Sequence, residues 1–279
     1  METIEQLKDR LNNKDIRHSY IVCSFRRSGS TLLCKTLEAI DACGIPKEYF
    51  HHNKVFKRGA KDNPEVFLEY CNEVFQKGRT DNGVFGIKMH WWQMHDFLRQ
   101  ARKFPVISSK SDLEILNLFF CNPKFIYIWR QDTTAQAISN IIATNTGVWV
   151  APKSNNLDPS LNSNTQKIQK EIPFKPLEIY GWEEDFKYQN KRWRQFLEEN
   201  RIYFYEVVTE KMVSEFQATM RELVSFLELE IDSSEFNMPT QKQANKVNED
   251  FIRRYRRYPR PLLRLVNKLR RILLSFGRK

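Results

Sequence analysis

Tyr20-Ile21-Val22-Cys23-Ser24-Phe25-Arg26-Arg27-Ser28-Gly29-Ser30-Thr31-Leu32-Leu33 passes from an apolar run, through a short basic and hydroxyl-rich turn, into the start of a helix. A strand entering a helix in this way predicts an anion site. The first N–H groups of a helix have no intrahelical partner, and the helix dipole adds partial positive charge at that end. Arg26 and Arg27 add forked cationic donors, Ser28, Ser30 and Thr31 add hydroxyls, and Gly29 lets the backbone come close to ligand oxygens. The turn lacks the first glycine and the Gly-Lys-Ser/Thr ending of a Walker A loop, which disfavours an ordinary P-loop kinase or ATPase. Read alone, it also fits an N-cap with a tight turn and no ligand.

Working outward, apolar runs predict further strands at Val84–Met89, Lys124–Trp129 and Ile202–Val208, after a first strand at about 19–25. Helical spacing predicts helices at about 1–14, 29–42, 64–77, 91–103, 113–120, 132–144, 177–199 and 210–227. Strands separated by helices, at spacings too long for hairpins, predict an α/β fold: a parallel central sheet flanked by helices. The segment Ile45–His52 is irregular, and the topology should bring it back over the first turn. Residues 151–166 form a cluster of turn formers and read as a loop or lid. The chain reads as one domain over 1–257 followed by a basic amphipathic helix over 258–279.

In open parallel sheets, ligands bind outside the carboxyl ends of the strands. Those ends carry Arg26-Arg27, Lys88 and Arg130, with Ser139 nine residues after Arg130 on the helix that follows. Two separated cationic sites suit a ligand with two phosphate centres. The bland alternative pairs Arg130 with Asp132 and leaves Ser139 on a helix surface.

The 279 residues are 41% hydrophobic and 13% aromatic, which predicts a folded globular protein. No run of about 18 apolar residues is present, and the polar N-terminus has no apolar signal core, so the expected address is cytoplasmic. Five scattered cysteines without a Cys-x-x-Cys pair argue against a disulfide framework or a zinc site. The net charge is +11, and the segment from Arg253 to Lys279 alone carries eleven basic residues and no acidic one. The rest of the chain is therefore balanced, which speaks against a nucleic-acid partner. In the tail, Leu262, Leu265, Val266, Leu269, Ile272, Leu273 and Phe276 share one helical face, with Arg264, Lys268 and Arg271 opposite. Such a helix suits the inner face of an anionic membrane; the alternative is packing on the body or in a homodimer.

Several ordered motifs give the chain a resemblance to a known family. They are Arg27-Ser28-Gly29-Ser30-Thr31-Leu32-Leu33, Pro46-Lys47-Glu48-Tyr49-Phe50, Phe85-Gly86-Ile87-Lys88-Met89-His90-Trp91, and Trp129-Arg130-x-Asp132 leading to Gln136-Ala137-Ile138-Ser139. Weaker matches follow at Thr146–Trp149 and from Gln243-Ala244-Asn245 to Tyr255-Arg256-Arg257. Together they resemble the bacterial trehalose 2-sulfotransferase family of lipopolysaccharide- and nodulation-factor-type carbohydrate sulfotransferases, over roughly residues 18–257.

The resemblance implies a P-loop-like sulfotransferase fold, 3′-phosphoadenosine 5′-phosphosulfate (PAPS) as donor, no metal, and a carbohydrate or glycolipid acceptor. It implies that Arg26, Arg27, Ser28, Gly29, Ser30 and Thr31 hold the 5′-phosphosulfate, and that Arg130, Ser139, Gln243 and Asn245 complete the donor site. The resemblance makes Glu48 the general base. Beside it, Lys88 suits the leaving oxygen or the acceptor, the alternative being a salt bridge at a strand end. His51, Trp91 and Trp149 are the acceptor candidates, the alternative for the tryptophans being burial in the core. His51, His52, His90 and His95 are rival bases. A nucleotide-dependent kinase and a non-enzymatic peripheral membrane or polyanion-binding protein are the competing readings.

Overall fold

The computed structural model describes residues 2–56, 59, 63–149, 168–169, 171–231, 236–239 and 246–276, with the backbone alone at 56 and from 270 onward. The expected lid at 151–166 and the expected donor residues Gln243 and Asn245 lie outside the described residues. The chain forms two compact units: Met1–Trp129 with Lys191–Met238, and Arg130–Asn190 with Pro239–Lys279.

The first unit holds a four-stranded sheet of β1 (His18–Ser24), β2 (Val84–His90), β3 (Lys124–Trp129) and β4 (Phe204–Val208). Its order is β2-β1-β3-β4 and every pairing is parallel, as the spacing of the apolar runs predicts. Burial on both faces explains why these strands read as near-continuous apolar runs. Ile21 and Cys23 of β1 join Phe85, Ile87, Phe125 and Tyr127 on one face. There they pack under α4 (Pro64–Gly78), α5 (Trp91–Ala101) and α6 (Asp112–Phe120). Tyr20 and Val22 point the other way, to Leu33 and Leu37 of α2 (Ser30–Glu38) and to Leu223 and Val224.

Local chemistry sets the helix ends. Thr3 caps α1 (Ile4–Arg10) through a capping box with Gln6. Asn63 caps α4 and Ser111 caps α6. The helix expected at about 210–227 is two helices, α9 (Thr209–Ser214) and α10 (Phe216–Leu227), because Glu215 leaves helical geometry at φ −121° and ψ 45°. The segment from Ile45 to His51 is irregular, as expected, and a five-residue helix, α3 (His52–Phe56), follows it.

In the second unit, α7 (Thr133–Thr146) is capped by Asp132, whose carboxylate accepts from the Ala135 N–H at 2.8 Å. α8 (Pro176–Glu199) starts in this unit and ends in the first. α11 (Lys246–Tyr255) and α12 (Arg260–Phe276) complete the second unit. Its interior holds a carboxylate. Glu183, 1% exposed, accepts hydrogen bonds from the Tyr255 hydroxyl at 2.7 Å, from the Arg260 guanidinium and from the Thr134 hydroxyl. Burial works against its ionisation, but the bonds from Arg260, Thr134 and Tyr255 outweigh it and hold the carboxyl below its usual range.

Candidate active site

β1 lies inside the sheet, and the chain leaves it toward β2 on one side while β3 pairs on the other. The carboxyl end of β1 is thus the switch point at which open parallel sheets bind ligands. The turn from Phe25 to Gly29 sits there. Its curvature is local: Ser28 donates its N–H and its hydroxyl to the Phe25 carbonyl, at 3.3 and 2.7 Å. The Ser28 hydroxyl proton is thereby committed to shaping the turn. Arg27 adopts φ +60° and Gly29 φ +76°, left-handed backbone that glycine takes at least cost. Gly29 begins α2 with no side-chain cap, so the amino end of that helix keeps its donors for something else. Arg26 and Arg27 are half-buried beside it.

The segment after α2 returns over this turn, as expected. Lys47 forms a parallel bridge with Ile87 and its carbonyl accepts the Lys88 N–H at 3.1 Å, adding a short edge to β2. That contact carries Glu48 onto Lys88. The Lys88 ammonium lies 2.7 Å from Glu48 Oε1 and 3.5 Å from the Thr31 hydroxyl, which binds the Pro-x-Glu segment to the first turn. The amide of Gln93, wholly buried in α5, is oriented by two bonds. Its Oε1 accepts the His90 N–H at 2.8 Å and its Nε2 donates to Glu48 Oε2 at 3.1 Å.

His90 completes the cluster from below. Its Nε2 is 3.5 Å from Glu48 Oε2, and its Nδ1 is 3.2 Å from both the hydroxyl and the carbonyl of Ser24. The Ser24 carbonyl also accepts from Trp193 Nε1 at 3.2 Å. In the neutral ring with Nε2–H facing the carboxylate, Nδ1 accepts from the Ser24 hydroxyl; the protonated ring instead donates from Nδ1 to the Ser24 carbonyl.

The electrostatics follow from burial and charge. Burial opposes the charge on Glu48, but His90, the Lys88 ammonium and hydrogen bonds from Lys88 and Gln93 overcome it and hold the carboxyl at about 2. Burial drives His90 down to about 4 against the pull of Glu48, so its ring is neutral near pH 7 and Lys88 is the cation that keeps Glu48 ionised. His51 is also lowered, first by burial and then by Arg26, Lys54 and His52, with Glu48 opposing. Its Nδ1 accepts the Asn53 N–H at 3.4 Å, which leaves Nε2–H as its free edge, and its ring meets Trp92 edge-on at 5.6 Å.

The structure thus gathers Arg26, Arg27, Ser28, Gly29, Ser30, Thr31, Glu48, Lys88 and His51 within one unit. Trp91 is buried in the core, edge-on to Trp193 at 5.1 Å with the Arg192 guanidinium over its ring. Arg130, Ser139 and the 42%-exposed Trp149 belong to the second unit. Sequence reasoning missed Gln93 and Thr209. The Thr209 hydroxyl lies 2.5 Å from the Ser28 carbonyl and 2.9 Å from the Trp129 carbonyl, joining the turn to the end of β3. Its position just past the carboxyl end of β4 was the available signal.

Comparison with known proteins meets this geometry. The family model described as Stf0 sulphotransferase matches residues 19–258. Two curated relatives, each named trehalose 2-sulfotransferase, come from Mycolicibacterium smegmatis and Mycobacterium tuberculosis. They are 28% identical over 159 and 155 residues, covering 47% of this chain and 58% of each relative. The chain therefore spans under two thirds of the length of these relatives.

Proposed function

This chain belongs to the Stf0 sulphotransferase family, and we propose that it moves a sulfuryl group from PAPS onto a hydroxyl of a carbohydrate or glycolipid. The observation that carries the reading is the Glu48–Lys88 pair, 2.7 Å apart and joined to Thr31 of the anion-binding turn. A carboxylate and a cation beside a phosphate-type cradle are the two charges that in-line transfer to an alcohol requires. Trehalose is the acceptor in the names of both relatives, and it brings the same chemical class, a sugar hydroxyl, to this chain.

In this reading the turn's N–H groups, Arg26 and Arg27 bind the donor's 5′-phosphosulfate. Arg130 and Ser139 take its 3′-phosphate. The acceptor oxygen forms a bond to sulfur as the bond from sulfur to the phosphate oxygen breaks, and the acceptor's proton passes to Glu48. Lys88 neutralises the charge gained by the leaving phosphate oxygen. A carboxylate held at about 2 is a weak base. As Lys88 turns toward the leaving oxygen, its grip on Glu48 loosens and the carboxylate becomes more basic when the hydroxyl becomes acidic. In the same reading His51 donates through Nε2–H to a sugar or sulfuryl oxygen, a role supported by its Nδ1 being taken up by the Asn53 N–H.

The test is incubation of the purified chain with sulfur-labelled PAPS and glycan or glycolipid extracts. Label should enter the acceptor, and adenosine 3′,5′-bisphosphate should raise the melting temperature where ATP with Mg²⁺ does not. Stabilisation by ATP with Mg²⁺ alone would move the reading to a kinase.

A further inference from the structure

We propose that the outward face of α12 is a docking surface for an anionic lipid bilayer. The inference goes beyond sulfuryl transfer, and its test does not depend on that activity.

The observation is a row of large aliphatic side chains in water. Leu262, Leu265 and Leu269 are 51%, 55% and 52% exposed, while Leu263 between them is 3% exposed. At 3.6 residues per turn the three exposed leucines share an arc of about 60°. Leu263 therefore sets the rotation of the helix, and Arg260, bonded to the buried Glu183, holds its first turn. The leucine row is fixed outward, where an aligned apolar patch marks an interaction surface.

Charge selects the occupant. Arg264 and Lys268 are exposed on the same helix, and Arg256 and Arg257 are exposed just before it. The segment from Arg253 to the end has eleven basic residues and no acidic one. Leucines at the acyl boundary with cations at the headgroups are the pattern of a helix lying in the plane of an anionic interface. Among the described residues no helix is long and apolar enough to cross a membrane, so the contact is with the surface.

The experiment is flotation of the full chain with vesicles of phosphatidylcholine alone and with about one third phosphatidylglycerol, at low and high salt. Binding to the anionic vesicles is expected to exceed binding to the neutral ones by about ten-fold or more, and to weaken with salt. The variant L262Q/L265Q/L269Q should lose binding by about ten-fold or more, with an unchanged melting curve because all three side chains are exposed. Tryptophan fluorescence of Leu265→Trp should shift to the blue on addition of anionic vesicles. The proposal is overturned if the wild type does not float, if the triple variant floats equally well, or if the Leu265→Trp emission stays unshifted. It is likewise overturned if sedimentation shows a dimer that the triple variant dissolves while vesicles go unbound, since the row would then belong to a second copy.

Discussion

Glu48 and Lys88 form an ion pair at 2.7 Å although 40 positions separate them, and the contact exists because the Lys47 carbonyl bonds to the Lys88 N–H. If the pair supplies base and cation, Glu48→Gln should lower the turnover number by about 10²-fold or more. Binding of adenosine 3′,5′-bisphosphate should stay near wild type. Lys88→Met should also lower turnover, and it should raise the Glu48 carboxyl from its low range, readable as a new acid limb in the pH–rate profile. Wild-type turnover in Glu48→Gln would remove the residue from the proposed role.

His90 gives the fold a defined response to acid. Its pKa falls from 6.5 to about 4 on folding, so between those values the unfolded chain binds a proton that the folded chain refuses. Stability is therefore lost as pH falls from about 6.5 to about 4, by about 3 kcal/mol in full. Glu48, lowered from 4.5 to about 2, acts in the same direction at lower pH, its stabilisation being present above 4.5 and lost below. Urea unfolding at pH 7 and pH 4.5 should show a steep decline for the wild type and a shallower one for His90→Gln. Equal declines would show that His90 titrates freely in the folded chain.

At Gly29 a Cβ atom would stand 2.7 Å from Thr209 Cγ2, on a backbone at φ +76°. Gly29→Ala should cost about 1–3 kcal/mol from the backbone term alone, with the clash added. Thr209→Ser removes the methyl and keeps the hydroxyl bonded to the turn, so the double variant should recover the clash and retain the backbone cost. Full recovery would mean that the backbone conformation carries no strain for alanine.

Arg260 and Glu183 should behave as a unit. Arg260→Ala takes a half-exposed cation from a carboxylate that is 1% exposed, and should destabilise by about 1–3 kcal/mol, because water screens the guanidinium side of the pair. Adding Glu183→Gln should restore part of that loss, a non-additivity that a double-mutant cycle measures directly. Additive losses would separate the two residues.

Arg130 is proposed to read the donor's 3′-phosphate. Arg130→Ala should weaken adenosine 3′,5′-bisphosphate by about ten-fold or more and leave adenosine 5′-phosphate nearly unchanged. An equal loss for both nucleotides would place its effect elsewhere.

Residues 20–33 were legible as strand, turn and helix because each step is local: an apolar run buried on both faces, a glycine at positive φ, leucines at helical spacing. For the same reason the four strands and the basic tail stood within a few residues of their observed places. The partners inside the site were not legible, because they depend on contacts between distant segments. Periodicity does not say that Gln93 orients Glu48, that Thr209 ties Ser28 to Trp129, or that His90 lies neutral beneath the carboxylate. Nor does it tell the buried Trp91 from the half-exposed Trp92, since neighbours on a helix look alike until a second layer covers one of them. The sequence by itself determined which chemistry-bearing residues lie at the strand ends. The tertiary structure decided which of them touch, because distance and burial, and hence charge state, exist only once the segment around Lys47 has closed over β2.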